Sequence, residues 1–318
     1  MNMNSSQIME TVVKAMENLK KAAEYILSSL RNQGADLAQV SVSEGRVEEF
    51  NVDAGEFSLI RSVFNSGASM KAIKDMRKGT AAVNQLDKEA IDNAVTECMA
   101  AADTGVRDEA LSIAEKQENE DFVSGALSPD KEAFFRSLIK FNNDVKEQFP
   151  EIMLEQVIAS YSYGKHVFAN TNGVLFTEED GSYSVSLMYS AHNEENVTSF
   201  NCAAVDFLDP NQDILECADI KTLLQRAVSE LDSQPFSGKF TGTAVFSPVC
   251  LCDFISNVTD SFTGDLALIE GTSPWKDSLG KEVAGKDFTL SVIPLDENIV
   301  CGERITSDGY KSENYDVI

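Results

Sequence analysis

A chain of 318 residues is long enough for two domains, each with its own core, and 43% hydrophobic with 25% charged residues is ordinary for a globular protein. Asp and Glu outnumber Lys and Arg by 52 to 26, a formal net charge of −26; such a surface repels phosphate backbones, so no direct nucleic-acid contact is expected and the acidity reads as a solubility device. No apolar run approaches the ~20 residues that cross a bilayer, and the N-terminus has neither the apolar segment nor the cleavage site of a signal peptide.

The first expected element is a helix from Ile8 to Arg31. Val12, Met16, Leu19, Ala23, Ile26 or Leu27, and Leu30 recur every three or four residues, and Gly34 stops it. This spacing suits one face packed on a sheet, although a coiled-coil seam has the same period. Residues 38–43 and 47–52 alternate as two strands turned by Gly45. Segments 57–64 and 69–74 follow around Asn65-Ser66-Gly67, and 81–84 follows the turn at Lys78-Gly79-Thr80. Asp87 then caps a helix with Ile91, Val95, Cys98 or Met99, and Ala102 on its apolar side, ended by Gly105. Residues 104–127 are polar and acidic and read as a linker or exposed loop.

Ser128-Pro129 opens the next helix, carried by Phe134, Phe135, Leu138 and Ile139, and Pro150 closes it. A β meander is expected over 154–163, 165–170, 174–179, 183–191 and 197–207, with Asn172-Gly173 as a two-residue hairpin turn. Residues 214–231 read as an amphipathic helix. Thr243 to Phe246 reads as a short strand. Ser247-Pro248 then supplies an N-cap and first-turn proline for a helix with Leu251, Phe254, Ile255, Val258 and Phe262 on one face. Gly264 stops it, and a loop carrying Trp275 leads to a strand over 287–293. Sheets and helices without strict βαβ alternation predict an α+β fold of two domains with antiparallel or mixed sheets and packed helices, 1–125 and 126–318. Both halves share the outline helix, antiparallel strands, helix, which is compatible with an internal duplication.

Few residues suggest chemistry. His166 and His192 lie in separate strands with no second ligand at i+2 or i+4, so a zinc site would need the strands to meet in register and a third ligand. They read as partly exposed side chains. The six cysteines, Cys98, Cys202, Cys217, Cys250, Cys252 and Cys301, are scattered and read as reduced thiols of a cytoplasmic protein. Cys250 and Cys252 open a helix, where thiolates are favoured, which makes them the candidates for a metal or reactive site. Their single intervening residue is shorter than zinc-knuckle spacing. Asp253 and Asp260 read as a solvated helix face, and Trp275 as the cover of a core edge or a partner contact. There is no phosphate-binding loop, dinucleotide glycine fingerprint or nucleophile elbow. No catalytic residue, cofactor site or metal site is assigned within the chain.

Ser247-Pro248, Phe262-Thr263-Gly264, the run Ser273-Pro274-Trp275-Lys276-Asp277-Ser278-Leu279-Gly280-Lys281 and Ser307-Asp308-Gly309-Tyr310 resemble motifs of the TldD/PmbA family, also called modulators of DNA gyrase or TldD/TldE peptidases. Residues 67–95 and the turn Asn170-Thr171-Asn172-Gly173-Val174 are similar to its N-terminal part. In the TldD branch the helix after the strand carries an HExxxH-type metal motif. The corresponding helix here, from Leu251 to Phe262, has no histidine, so the resemblance falls on the PmbA/TldE side. It implies a subunit without its own metal, paired with a zinc-holding TldD-type metallopeptidase subunit or with itself, shaping a hollow chamber for unfolded peptides. A stand-alone metal-dependent peptidase with a non-standard site, and a non-catalytic homo-oligomeric scaffold, are the alternatives. Family members continue past Ser-Asp-Gly with further strands, so this chain is expected to be truncated and its second domain incomplete.

Overall fold

The computed structural model describes residues 5–318 apart from 236, 240 and 301, and side chains from residue 15 onward apart from those three and 249. The side chains at the expected positions Ile8 and Val12 lie outside those described, as does Cys301. The elements are α1 Ser5–Asn32, β1 Leu37–Asp53, β2 Glu56–Lys74, β3 Arg77–Val83, α2 Lys88–Thr104, β4 Glu120–Gly125, α3 Lys131–Gln148, β5 Ile152–Asn170, β6 Leu175–Ala191, β7 Asn201–Phe207, α4 Ile220–Glu230, α5 Pro248–Val258, α6 Asp265–Ile269, β8 Ser291–Val292 and β9 Tyr315–Asp316. Helices with predominantly antiparallel sheets make this an α+β protein.

Seven strands share one sheet in the order β3-β2-β1-β5-β6-β4, with β7 also on β6. All pairings are antiparallel except β4 with β6. β1, β2, β5 and β6 run for 17 to 19 residues, which corrects the expectation of shorter strands broken at Gly45, Gly67, Gly164 and Gly181. The glycines mark crowding rather than turning. A Cβ on Gly45 would lie 2.4 Å from Asn65 Oδ1, and one on Gly181 2.1 Å from the Ala126 carbonyl oxygen.

Alternation places Val40, Val42, Phe50 and Val52 of β1 on one face. The first two pack with α1 and α2 through Leu19, Ile26, Leu30, Val95 and Met99. The last two pack with α3 and α4 through Phe134, Leu138, Phe141 and Leu224. One sheet face therefore carries two cores, and fully burying each such side chain is worth roughly 1.5–3 kcal/mol. The caps hold the helices as the sequence suggests. Asp87 accepts from the Ala90 N–H at 3.1 Å and Ser247 from the Cys250 N–H at 3.4 Å. At α3 the cap is Asp130, which accepts from the Ala133 N–H at 2.9 Å.

The chain divides into one unit of residues 1–233 with 294–312 and a second of 234–293 with 313–318. A boundary at 125/126 does not coincide with this division, because the acidic stretch ends in β4, which lies beside β6 from Glu120↔Phe176 to Gly125↔Gly181. The helix expected over 214–231 is a 3-10 turn at Ile214–Glu216 and then α4, broken where Ala218 takes φ 46°. In the second unit, α5 continues as one π turn to Thr263. Residues 243–246 do not form the expected strand, and of 287–293 only Ser291–Val292 pairs, with Tyr315–Asp316. Ser273 is the only buried residue among the described residues of that unit. Among the described residues, no helix is long and apolar enough to cross a membrane.

Candidate functional site

The face of the sheet opposite the four helices is polar. The two-residue alternation that sends Val40 and Val42 to the core sends Gln39, Ser41 and Ser43 to this side. Register then brings their neighbours: Ser41 pairs with Ser69 of β2 and Phe168 of β5, Ser43 with His166, and His166 with Glu178 of β6. Residues 294–312 belong to this unit and cross the same face. Ile305 is buried with Phe168, Val174, Phe176 and Ala114 in a small third core.

The strap explains the Ser307-Asp308-Gly309-Tyr310 motif. The Thr306 carbonyl accepts from the Gly309 N–H at 2.8 Å, and the Thr306 N–H donates to the Tyr310 carbonyl at 2.8 Å, closing a tight turn. Gly309 has φ +88° and sits so close to Phe168 that a Cβ would fall 2.3 Å from the ring, so both conformation and space demand glycine. Gln39 Nε2 donates to the Ser307 carbonyl at 3.2 Å, Gln117 Nε2 to the Gly309 carbonyl at 2.9 Å, and Lys71 pairs with Asp308 at 3.7 Å.

Between strap and sheet lies a cavity of about 800 Å³ whose walls include Gln39, Ser41, Lys71, His166, Phe168 and Asp308. Ser41 Oγ and His166 Nε2 are hydrogen-bonded at 2.5 Å, and His166 Nδ1 lies 3.9 Å from Glu178 Oε2. Gln39 Oε1 is buried without a hydrogen-bond partner. A smaller cavity of about 220 Å³ adjoins, lined by Glu178, Asp180, Ser182 and Glu303, and Glu303 borders both. Burial holds the Asp180 carboxyl above its ordinary range, and the charge of Glu178 pushes the same way while His166 opposes it. Hydroxyl, imidazole, ammonium and carboxylate groups thus line one chamber over an aromatic floor. That set can hold the alternating donors and acceptors of a polar chain and relay a proton among them.

The residues nominated from the sequence are dispersed. His166 enters this cavity. His192 sits beyond the far end of the β5–β6 ribbon, bonded to Ser190 at 2.7 Å and 3.8 Å from Glu155. Each histidine therefore has a serine and a glutamate beside it, an association no local spacing announces. Cys250 and Cys252 are exposed on α5, two residues apart on a helix and so directed to different sides. No group of three or more His, Cys, Asp or Glu among the described residues is gathered as a metal site. The donors on α5 do not fit a zinc ion. Asp253 and Asp260 are exposed. Trp275 stacks on Phe262 with ring centroids 4.8 Å apart and lines a cavity of about 730 Å³ within the second unit.

Solved structures with this architecture exist. TldE from Thermococcus kodakarensis superposes with a TM-score of 0.69 at 17% identity, covering 93% of this chain and 67% of its own. A protein described as a candidate modulator of DNA gyrase from Bacteroides thetaiotaomicron gives 0.69 at 17% identity over 94% and 69%. A similarly described protein from Thermotoga maritima gives 0.66 at 15% over 94% and 68%. No curated protein matches the chain. The class defined by the fold is thus that of the TldE and gyrase-modulator structures. Residues 38–102 match the family model for PmbA/TldA metallopeptidase domain 1, and residues 237–318 match the one for the PmbA/TldA metallopeptidase C-terminal domain. Both matched models are domains of the TldD/PmbA family that the sequence resembles.

Proposed function

We propose that this chain is a PmbA/TldE-like subunit of a TldD/TldE-type cytoplasmic peptidase complex, in which it shapes the chamber that holds unfolded peptide while a TldD-type partner supplies zinc and cleavage. The observation that carries this reading is α5. In the place where the resemblance puts a metal-binding helix, it offers Cys250 and Cys252 on different sides and no histidine. The cavity under the strap supports the peptide half of the reading, because its mixed donors and acceptors over Phe168 suit a main chain with apolar side groups. The charge of −26 favours an indirect effect on gyrase, through peptide turnover, over contact with DNA.

The test is elemental analysis and a peptidase assay on the unchelated chain alone and mixed with a TldD-type subunit. The expected result is no stoichiometric metal and no cleavage of unfolded peptide by the chain alone, with chelator-sensitive cleavage by the pair. One metal per chain with chelator-sensitive cleavage by the chain alone overturns the reading, and Cys250 and Cys252 become the first residues to replace.

A further inference from the structure

Two clusters on the sheet bring a serine, a histidine and a glutamate together, and they are wired differently. Ser190 Oγ donates to Glu155 Oε1 at 2.6 Å and meets His192 Nε2 at 2.7 Å, and Glu155 lies 3.8 Å from that same ring nitrogen. The carboxylate there holds the serine proton itself, and Ser190 is only 1% exposed, so this hydroxyl is tied up in a structural bond. In the other cluster the order is serial. Ser41 Oγ bonds His166 Nε2 at 2.5 Å, and Glu178 Oε2 approaches the opposite ring nitrogen, Nδ1, at 3.9 Å. The three residues come from β1, β5 and β6 and are half-buried, and Ser41 and His166 face the cavity of about 800 Å³ under the strap. Nucleophile, base and orienting carboxylate, linked through the two different nitrogens of one imidazole, form the arrangement that activates a serine for acyl transfer whatever fold carries it.

We propose that this is an ester-hydrolase site built wholly from the chain's own side chains, with Ser41 as nucleophile, His166 as general base and Glu178 as the positioning residue behind it. Lys71 completes the set. Ser41 is paired with Ser69 on β2 and Phe168 on β5, which puts Lys71 on one side and His166 on the other as its diagonal neighbours. Such neighbours, ~7–8 Å apart, are within reach of long side chains. Among the described residues, Lys71 is the only Lys or Arg on the cavity wall, and its ammonium draws the developing oxyanion. Ser41 Oγ attacks the ester carbonyl carbon while His166 Nε2 takes the hydroxyl proton. The carbon–oxygen bond to the alcohol then breaks, and His166 returns the proton to the leaving alcohol. Water attacks the acyl-serine, giving its proton to His166, and Ser41 regains that proton as the carboxylic acid leaves. Phe168, Met70 and Ile305 seat an apolar acyl group. Esters rather than amides follow from the 3.9 Å separation. It is an ion-pair distance, longer than the hydrogen bond that steadies the imidazolium of a complete triad, so the site favours an alcohol over an amine as leaving group.

The test is the purified full chain, in excess chelator, treated with an alkyl fluorophosphonate and assayed on p-nitrophenyl butyrate. The expected result is one phosphonyl group per chain, located at Ser41 by peptide mass spectrometry, and ester turnover that the same reagent abolishes. Ser41→Ala should lose both label and turnover, and His166→Gln should lower kcat by about 10³-fold or more. Glu178→Gln should lower kcat about tenfold or more with KM unchanged, and Glu178→Asp should recover part of the loss. Ser190→Ala should leave the label at Ser41 and the turnover as they are. The label on the wild type decides the matter even where a variant fails to fold. No label, a label at another serine, equal turnover in wild type and Ser41→Ala, or an unchanged kcat in His166→Gln overturns the proposal. Because every readout uses the isolated chain with chelator present, failure here leaves the zinc-and-partner reading standing, and failure of that reading leaves this one.

Discussion

Under α1 and α2, the ribbon of β1, β2 and β3 buries mainly Ala, Val, Ile, Leu and Met, whereas under α3 and α4 the ribbon of β5, β6 and β7 buries Phe134, Phe141, Tyr161, Tyr183, Tyr189 and Phe207. The aromatic half gains polar anchorage with its apolar area. Tyr161 donates to the Ala126 carbonyl at 2.7 Å, and the Tyr183 hydroxyl accepts from the Asp130 N–H at 2.9 Å, so two tyrosines pin the segment that leads from β4 into α3. The aliphatic half depends on close approach instead, as where a Cβ on Gly79 would fall 2.0 Å from the Cys98 carbonyl oxygen. One half of the sheet is thus fastened chiefly by close approach, with peripheral bonds such as Tyr25 to Asp92 at 2.6 Å and Lys74 to Asp103 at 2.6 Å, and the other by aromatic rings whose own hydroxyls are hydrogen-bonded to the backbone. The two sides should therefore fail differently.

The largest separation should come from core truncation. Phe134 meets Phe50, Tyr183 and Phe207 at centroid distances of 4.9 to 6.1 Å, and Phe134→Ala should cost about 3–5 kcal/mol in chemical denaturation. Ile26→Val, in the aliphatic half, should cost about 0.5–1.5 kcal/mol; similar losses at both sites would break the comparison. Tyr161→Phe keeps the ring and strands the Ala126 carbonyl, an expected loss of about 1–2 kcal/mol, with faster amide exchange confined to 120–130. The hairpin of the first ribbon turns through Ala54 at φ 49° and Gly55 at φ 77°, whereas that of the second has its positive φ at a glycine, Gly173. Ala54→Gly should therefore raise stability by about 0.5–1 kcal/mol, after the entropy cost of glycine.

The smallest expected effect depends on pH. Because Asp180 is held above its ordinary pKa in the fold, the native state binds its proton more tightly than the unfolded chain, and stability contributed at this site falls as pH rises through the native pKa. Asp180→Asn should raise the melting temperature at pH 7, and the gain should vanish below about pH 4, where the unfolded carboxyl is protonated too. A gain that persists in acid would assign the effect to packing.

How much of this was legible in the sequence depended on range. Asp87 and Ser247 as caps and the apolar faces of α2 and α5 rest on residues within four positions of each other, as does the turn at Asn172-Gly173, which the structure makes part of a four-residue loop, 171–174, rather than a two-residue one. The long strands were misread at their glycines, because local turn preference is visible in a sequence and the backbone crossing above Gly181 is not. β4 was hidden for the opposite reason. Its residues are largely exposed and acidic, so no apolar alternation marks it. The cavity residues lay further still from view: Ser41 and His166 are 125 positions apart, and only the β1–β5 register makes them neighbours. Cys250 and Cys252 drew attention by proximity in sequence, and helical geometry separates them.

The strap has a consequence in time. Its residues come after the whole stretch Gln234–Ile293, yet they cover a face formed by strands that end at Phe207. On a ribosome adding ~5–20 residues per second, roughly 5–20 s must pass between emergence of Phe207 and arrival of Ile305. Through that interval Phe168 and Phe176 lack the cover of Ile305. The nascent chain is then most open to chaperones, and to any peptide that reaches the groove before its own strap does.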